Sequence, residues 1–205
     1  MRHRVRSGFT RKIFHFAIFM GAAIAHIIGE VPTVNAYAVG VVTVILIGVW
    51  RGAGDPVFEG MARERDASHR AFYVVVPLLT TIAGGIVSNL LAGEFALVGY
   101  LVTGCGDAVG EPIGVWLGRH EYHVPTLRKV PCTRSLEGSA AVALVSSLGA
   151  ALALVVLTDL PALTIGLHAL LIAALSTVLE AFSPHGSDNF TTMVGASVLA
   201  MWLAG

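Results

Sequence analysis

The sequence predicts an all-α protein, a polytopic membrane bundle of about seven transmembrane helices. Composition is the first reason, because 55% of the 205 residues are hydrophobic, only 13% are charged, and the mean hydropathy is +0.77. Soluble domains rarely combine so many apolar residues with so few charges. The second reason is a series of apolar runs, most of them near the ~20 residues that cross a bilayer. We therefore expect a single integral membrane domain over residues 1–205, and the zero net charge argues against a nucleic-acid partner.

The predicted spans are separated by two kinds of connection. In chain order the spans are Phe14–Gly29, Asn35–Trp50, Ala71–Ala92, Phe95–Leu117, Gly138–Leu157, Ala162–Phe182 and Thr191–Gly205. The connections Glu30–Val34, Gly93–Glu94 and Thr158–Pro161 carry no Lys or Arg, so all 13 basic residues lie in the N-terminal segment and the other connections. Basic residues favour the cytoplasmic side of a membrane. We expect a multi-pass protein of the cell membrane, with its N-terminus and its long loops in the cytoplasm.

The fourth predicted span contains two carboxylates in the run Gly-Cys-Gly-Asp107-Ala-Val-Gly-Glu111-Pro112. A spacing of four places Asp107 and Glu111 on one helical face, about 6 Å apart along the axis. Ionisable groups at membrane depth are costly and usually face a cavity that holds water or a ligand. The pair predicts a divalent-metal or acid–base site, and a structural pair bonded to neighbouring helices is the alternative.

A basic cluster, Arg11-Lys12-Ile-Phe-His15, stands at the start of the first span. Arg11 and His15 share a helical face, and such a group suits phosphate oxygens, because arginine offers a bidentate fork and lysine a point charge. Basic residues that flank a first span also satisfy the positive-inside rule without any ligand. His15 is less easily explained in that way, since a histidine one turn into a span needs a partner.

Two further polar segments lie at the predicted cytoplasmic ends of spans. Arg134 precedes the run Ser135–Ser139 at the start of the fifth span, where a helix N-terminus offers N–H groups and a positive dipole end to phosphate. Capping by the serine is a compatible, purely structural explanation. After Glu180, a Pro- and Gly-containing turn leads to Asp188 and Asn189, which could cap the last helix or join the site.

Taken in this order, the motifs resemble those of the polyprenol kinase family, which includes phytol kinases, dolichol kinases and the CTP-dependent diacylglycerol kinase of yeast type. The resemblance extends from Arg11 to Thr192. It implies a membrane enzyme that moves the γ-phosphate of a nucleotide, CTP favoured and ATP possible, to a lipid alcohol of the phytol, geranylgeraniol or dolichol type. Magnesium would be the cofactor, and the partners would be the alcohol, the nucleotide and membrane lipids.

The resemblance also implies roles for particular residues. The metal would be held by Asp107, with Glu137 or Asp188 assisting. Glu111 is a further candidate ligand because it pairs with Asp107 in the span, and not because of the resemblance. The alcohol proton could pass to Asp107, Asp188 or His15, and the sequence does not choose among them. The residues expected to bind phosphate or nucleotide are Arg11, Lys12, Arg63, Arg134, Ser135, Gly138, Ser139 and Asn189. Arg63, with Glu64, is similar to an Ala-Arg-Glu element of the family.

Two other activities would use similar ingredients. A CTP-dependent lipid-phosphate cytidylyltransferase would place the same groups at the same interface. A small ion-coupled transporter could use Asp107 and Glu111 as its coupling site, although polar groups at one face only are less typical of a carrier. The chain differs from many family members at Arg134, where lysine is common, and at Glu111-Pro112, where small residues are expected.

Overall fold

The computed structural model describes residues 2–62, 69–125, 132–184 and 186–205, except for the side chains of residues 2–8 and 30. Within these ranges the chain is almost entirely helical. The elements, in order, are α1 (Arg2–Arg51), α2 (Pro56–Met61), α3 (Phe72–Ala92), α4 (Ala96–Leu117), β1 (Glu121–His123), β2 (Thr133–Ser135), α5 (Leu136–Leu157), α6 (Ala162–Phe182) and α7 (Asp188–Ala204). A single 3-10 turn, Gly93–Phe95, joins α3 to α4.

The long helical segment α1 turns back on itself and forms two antiparallel arms. The Tyr37 hydroxyl donates a hydrogen bond to the Ile18 carbonyl at 3.1 Å. Nineteen residues of straight helix would separate these positions by roughly 28 Å, so the chain must reverse between them. Pro32 lies within this stretch, and a proline inside a helix removes a backbone hydrogen bond and favours a bend. The predicted boundary between the first two spans, at Glu30–Val34, coincides with this reversal.

Five segments of the described chain are long and apolar enough to cross a membrane. They are Phe9–Gly29, Val31–Arg51, Phe72–Leu117, Leu136–Leu157 and Ala162–Phe182. The third comprises α3 and α4, between which Gly93 takes a positive φ of 55°. Asn89 Nδ2 donates to the Tyr100 hydroxyl at 2.6 Å across this turn. The predicted all-α membrane bundle is confirmed, while the count of seven spans and the side of the N-terminus stay predictions.

Most of the apolar core lies away from the N-terminal end of α1, toward the α1 reversal and the C-terminal end of α7. Buried residues there include Phe19, Leu97, Leu154 and Ile172, and their cluster extends to Ala204. A smaller apolar cluster joins the second arm of α1 to α2 and α3, through Ile45, Phe58, Ala62, Val74 and Leu78. The main core leaves the opposite end of the bundle for polar groups, and the smaller cluster lies beside them.

Glycines let neighbouring helices approach α4 beside the Asp107–Glu111 pair. A methyl group at Gly104 would clash with Phe19 of α1. A methyl group at Gly110 would lie 2.7 Å from a Val142 methyl of α5. Such close backbone approach is the usual role of small residues between membrane helices. Pro112 lies inside α4 without ending it.

A two-stranded antiparallel hairpin, which was not predicted from the sequence, lies between α4 and α5. Its register pairs Glu121 with Ser135, Tyr122 with Arg134, and His123 with Thr133. The second strand runs directly into α5. The hairpin therefore fixes the position of Arg134 relative to the start of that helix.

Candidate active site

A cavity of about 350 Å³ opens at the end of the bundle where α1 begins and α4 ends. We call it the charged cavity. It is lined by the starts of α1, α5 and α7, the ends of α4 and α6, and the hairpin. Ten of the residues predicted for the site line it: Arg11, Lys12, Asp107, Glu111, Arg134, Ser135, Gly138, Ser139, Asp188 and Asn189. Residues more than 170 positions apart in the chain thus converge on one space.

Lys12 links α1 to the carboxylate pair of α4. Its ammonium group lies 2.6 Å from Asp107 Oδ1 and 3.8 Å from Glu111 Oε2. The Lys12 side chain is only 6% exposed, so an unpaired charge at this position would be costly. His15 is also near, with its Nδ1 3.6 Å from Asp107 Oδ2. The Asp107–Glu111 pair therefore faces a cation of the first motif, and the two carboxylates share it.

Arg134 makes a second ion-pair group on the other side of the charged cavity. Its Nη2 donates to Asp188 Oδ2 at 2.6 Å, and its Nη1 donates to the Glu180 carbonyl and lies 3.6 Å from the Glu180 carboxylate. Burial alone would lower the pKa of the guanidinium, but Glu180 and Asp188 raise that pKa above its ordinary value. The planar fork thus ties the end of α6 to the start of α7, which a lysine could not do in the same way.

The Ser-Leu-Glu-Gly-Ser run lies at the start of α5. Its residues cap that helix and line the charged cavity. Ser135 Oγ accepts a hydrogen bond from Gly138 N at 3.1 Å, which confirms the predicted cap. A methyl group at Gly138 would lie 2.7 Å from the Gly110 carbonyl of α4, so this glycine also allows the two helices to meet. The Ser139 hydroxyl is 2.7 Å from the Tyr122 hydroxyl of the hairpin. These contacts hold the hairpin against α5 beside the cavity.

Two predicted residues lie at the margin of the charged cavity. The Asn189 side chain is 4% exposed and donates to Thr81 Oγ1 of α3 at 2.8 Å, so it anchors α7 while it lines the cavity. The His15 ring stacks on Phe19 with centroids 5.0 Å apart, and it lines a neighbouring cavity rather than this one. Arg63 and Glu64 fall outside the described residues.

Glu137 does not line the charged cavity, contrary to what a metal-binding role would require. Its carboxylate accepts a hydrogen bond from Arg119 N at 3.1 Å and lies 2.7 Å from His120 Nδ1. These groups belong to the segment that leads from α4 into the hairpin. The geometry therefore gives Glu137 a role in holding this loop, and it does not bring Glu137 to the other three predicted metal ligands.

Glu137→Gln should accordingly have a modest effect on any activity of the charged cavity. Glutamine keeps one acceptor oxygen for the loop, so we expect turnover to fall less than about tenfold, below the 10–100-fold typical even for partners of metal ligands. His120→Ala, which removes the partner instead, should give a similar loss. Steady-state kinetics of both variants check this. A far larger loss for Glu137→Gln than for His120→Ala would favour metal binding.

Glu180 had no predicted role, and Glu121, Cys132 and Thr133 were not predicted for the site. All four line the charged cavity. The signal for Glu180 was present, because a carboxylate about one turn from the end of an apolar span needs a partner, and Arg134 supplies it. The other three are placed by the hairpin register, which leaves no comparable signal in the sequence.

The charged cavity contains more negative than positive side chains. Among the described residues its lining includes five carboxylates, from Asp107, Glu111, Glu121, Glu180 and Asp188, against three cations. Phosphate groups would enter such a cavity only with a further cation. No three His, Cys, Asp or Glu side chains in the described ranges group closely enough to form a metal site by themselves. Magnesium commonly takes one or two carboxylates and completes its shell with substrate phosphates and water.

Asp107 and Glu111 fit such a metal–phosphate complex. Their oxygens are the hard donors that magnesium prefers. The Lys12 ammonium lies within 4 Å of both carboxylates, so the two side chains face the same position. Both also line the charged cavity, where phosphate groups would complete the shell.

Fold and site together define a polytopic helical membrane protein with a charged cavity at one end of its bundle. The chain is 29% identical to the phytol kinase of Synechocystis sp. (strain ATCC 27184 / PCC 6803 / Kazusa), over 95% of its own length and 81% of that protein. This similarity is distant, and it confirms the resemblance to the polyprenol kinase family. No family model matches the chain. No solved structure matches it significantly.

Proposed function

We propose that this protein is a membrane lipid-alcohol kinase. It transfers the γ-phosphate of a nucleotide, CTP favoured and ATP the alternative, to the hydroxyl of an isoprenoid alcohol of the phytol, geranylgeraniol or polyprenol type. The observation that carries the proposal is the charged cavity, in which basic side chains and carboxylates meet at one end of an apolar bundle. The similarity to a phytol kinase over 95% of the chain supports the same activity.

The residues of the charged cavity suit the requirements of phosphoryl transfer. This reaction needs in-line positioning and neutralisation of charge, and little covalent help from the protein. Arg11 and Lys12 would bind phosphate oxygens from α1, and Arg134 from the hairpin. Asp107 and Glu111 would hold Mg²⁺, which would supply charge neutralisation at the phosphate oxygens. Of the predicted metal ligands, Asp188 is the one that would assist from α7, where Arg134 now pairs with it.

In the transfer step the alcohol oxygen forms a bond to the γ-phosphorus, and the bond from that phosphorus to the bridging oxygen breaks. The nucleoside diphosphate leaves with the electron pair of the broken bond. The alcohol proton passes to an acceptor in the site, for which Asp107, Asp188 and His15 are the candidates. Because the basic residues concentrate at this end of the bundle, the positive-inside rule favours a site on the cytoplasmic face.

Transfer of label into lipid tests the proposal. Purified protein with Mg²⁺ would receive CTP or ATP labelled at the γ-position, together with phytol, geranylgeraniol, dolichol or diacylglycerol. We expect label in at least one isoprenoid alcohol, dependent on the metal and lost with EDTA. CTP labelled at the α-position should leave the lipid unlabelled. With a lipid phosphate as the acceptor, label from the α-position and release of pyrophosphate would instead identify a cytidylyltransferase. No γ-label in any lipid alcohol would contradict the kinase.

A further inference from the structure

A second cavity adjoins the charged cavity, and its walls are mainly apolar. We call it the apolar cavity. It has a volume of about 30 Å³ and lies among α1, α2 and α3, between side chains such as Ile18, Ile45, Met61, Val74 and Leu78. These residues belong to the smaller apolar cluster or pack against it, separate from the main core. The volume exceeds the ~10–15 Å³ that one water-sized group needs.

His15 places a buried nitrogen beside the apolar cavity, and the described residues offer that nitrogen no hydrogen-bond partner. His15 lines the cavity and is 8% exposed. Its Nε2 makes no hydrogen bond to any group in the described ranges of the chain, while its Nδ1 faces Asp107. A buried nitrogen left without a hydrogen bond is energetically unfavourable. The neighbouring space is therefore suited to a group that carries a hydroxyl.

The two cavities meet at residues of the first motif. Arg11 lines both of them. Asp107 lines the charged cavity, and its Oδ1 pairs with Lys12. Its Oδ2 faces His15, and His15 lines the apolar cavity. A hydroxyl bonded to His15 Nε2 would therefore stand at the boundary between an apolar space and the phosphate-binding space.

We propose that the apolar cavity is the binding site for the hydroxyl end of the acceptor alcohol, with the hydroxyl bonded to His15 Nε2. This inference rests on the proposed kinase function and adds the location of its acceptor. The cavity has room for the hydroxymethyl end only, so the isoprenoid tail lies along the seam between the second arm of α1 and α3. The buried side chains of Ile45, Val74 and Leu78 pack together at that seam and make it apolar.

Narrowing the seam should weaken binding of the alcohol and spare the nucleotide. Leu78→Phe adds bulk beside the cavity, and we expect the KM for the alcohol to rise roughly tenfold or more, since small changes of fit in an apolar site have effects of this size. The KM for the nucleotide should change less than about twofold. Leu154→Phe, an equal enlargement of a buried leucine in the main core, is the matched control. Equal effects of both variants on the two KM values would overturn the proposal.

Photo-crosslinking of the wild-type protein locates the alcohol without any variant. A geranylgeraniol analogue with a diazirine on its first isoprene unit should label residues of α1, α2 and α3, such as Met61 or Leu78. Labelling on α5 or α6 would overturn the alcohol site, and phosphate transfer in the same preparation would leave the kinase function intact. Labelling at the seam without transfer to any alcohol would contradict the kinase and support the site.

Discussion

Asp107→Asn is expected to reduce phosphate transfer about a thousandfold, the scale for loss of a group that stabilises the transition state directly. Asparagine keeps the size of the side chain but removes the charge that would hold Mg²⁺ and that now pairs with Lys12 at 2.6 Å. The protein should still fold, because Glu111 remains within 4 Å of the Lys12 ammonium. Initial rates of lipid phosphorylation and the elution profile in detergent measure the two properties separately.

Glu111→Gln is the matched control for this result. It removes the same charge one helical turn later, from a carboxylate that is 3.8 Å from Lys12 rather than 2.6 Å. We expect a smaller loss of activity and a higher Mg²⁺ concentration at half-maximal rate. If the two variants lose equal activity, Asp107 is not the principal ligand of the pair. If Asp107→Asn keeps most of its activity, the site lies elsewhere.

Arg134→Ala is expected to destabilise the protein by about 3–5 kcal/mol, the usual cost of breaking a buried ion pair from one side. Glu180 and Asp188 are 15% and 14% exposed and would both lose their guanidinium partner. Activity should also fall, because the cation would no longer bind phosphate. The free energy of unfolding in detergent micelles, measured by denaturant titration, gives the first quantity.

Arg134→Lys separates charge from geometry at the same position. Lysine keeps the charge but has no planar fork, so it cannot bridge Glu180 and Asp188 in the same way. We expect stability between that of the wild type and that of Arg134→Ala. Arg119→Ala removes an exposed arginine at the end of α4 and serves as the control. A stability of Arg134→Ala equal to that of Arg119→Ala would show that the buried pair contributes nothing.

The sequence predicted those features that depend on local pattern. Apolar runs give the helices, and the reversal near Pro32 falls at a short connection without Lys or Arg. The convergence of Lys12, Asp107 and Asp188 could be expected because charged groups at membrane depth need partners. Their motifs also resemble those of one family, in the same order. The sequence alone therefore indicated most of the residues that line the charged cavity.

Features that depend on tertiary geometry could not be read from the sequence. Three-residue strands such as Glu121–His123 show too few alternations to reveal a period, so the hairpin was not predicted. Glu137 adjoins residues that line the cavity, yet its own side chain turns to the segment after α4. Which way a side chain points at a helix start depends on the packing of that helix, and the motif does not contain this information.

The ion pairs of Arg134 with Glu180 and Asp188 have a consequence for the order in which contacts form during synthesis. Synthesis proceeds from the N-terminus, and Arg134 leaves the ribosome well before Glu180 and Asp188. The Lys12–Asp107 pair needs only α1 and α4, and it can close while the second half of the protein is still being made. Arg134 has neither of these two partners until α6 and α7 are inserted. Its double contact therefore forms only after α7 has been made, because a nascent chain that stops before α7 lacks Asp188.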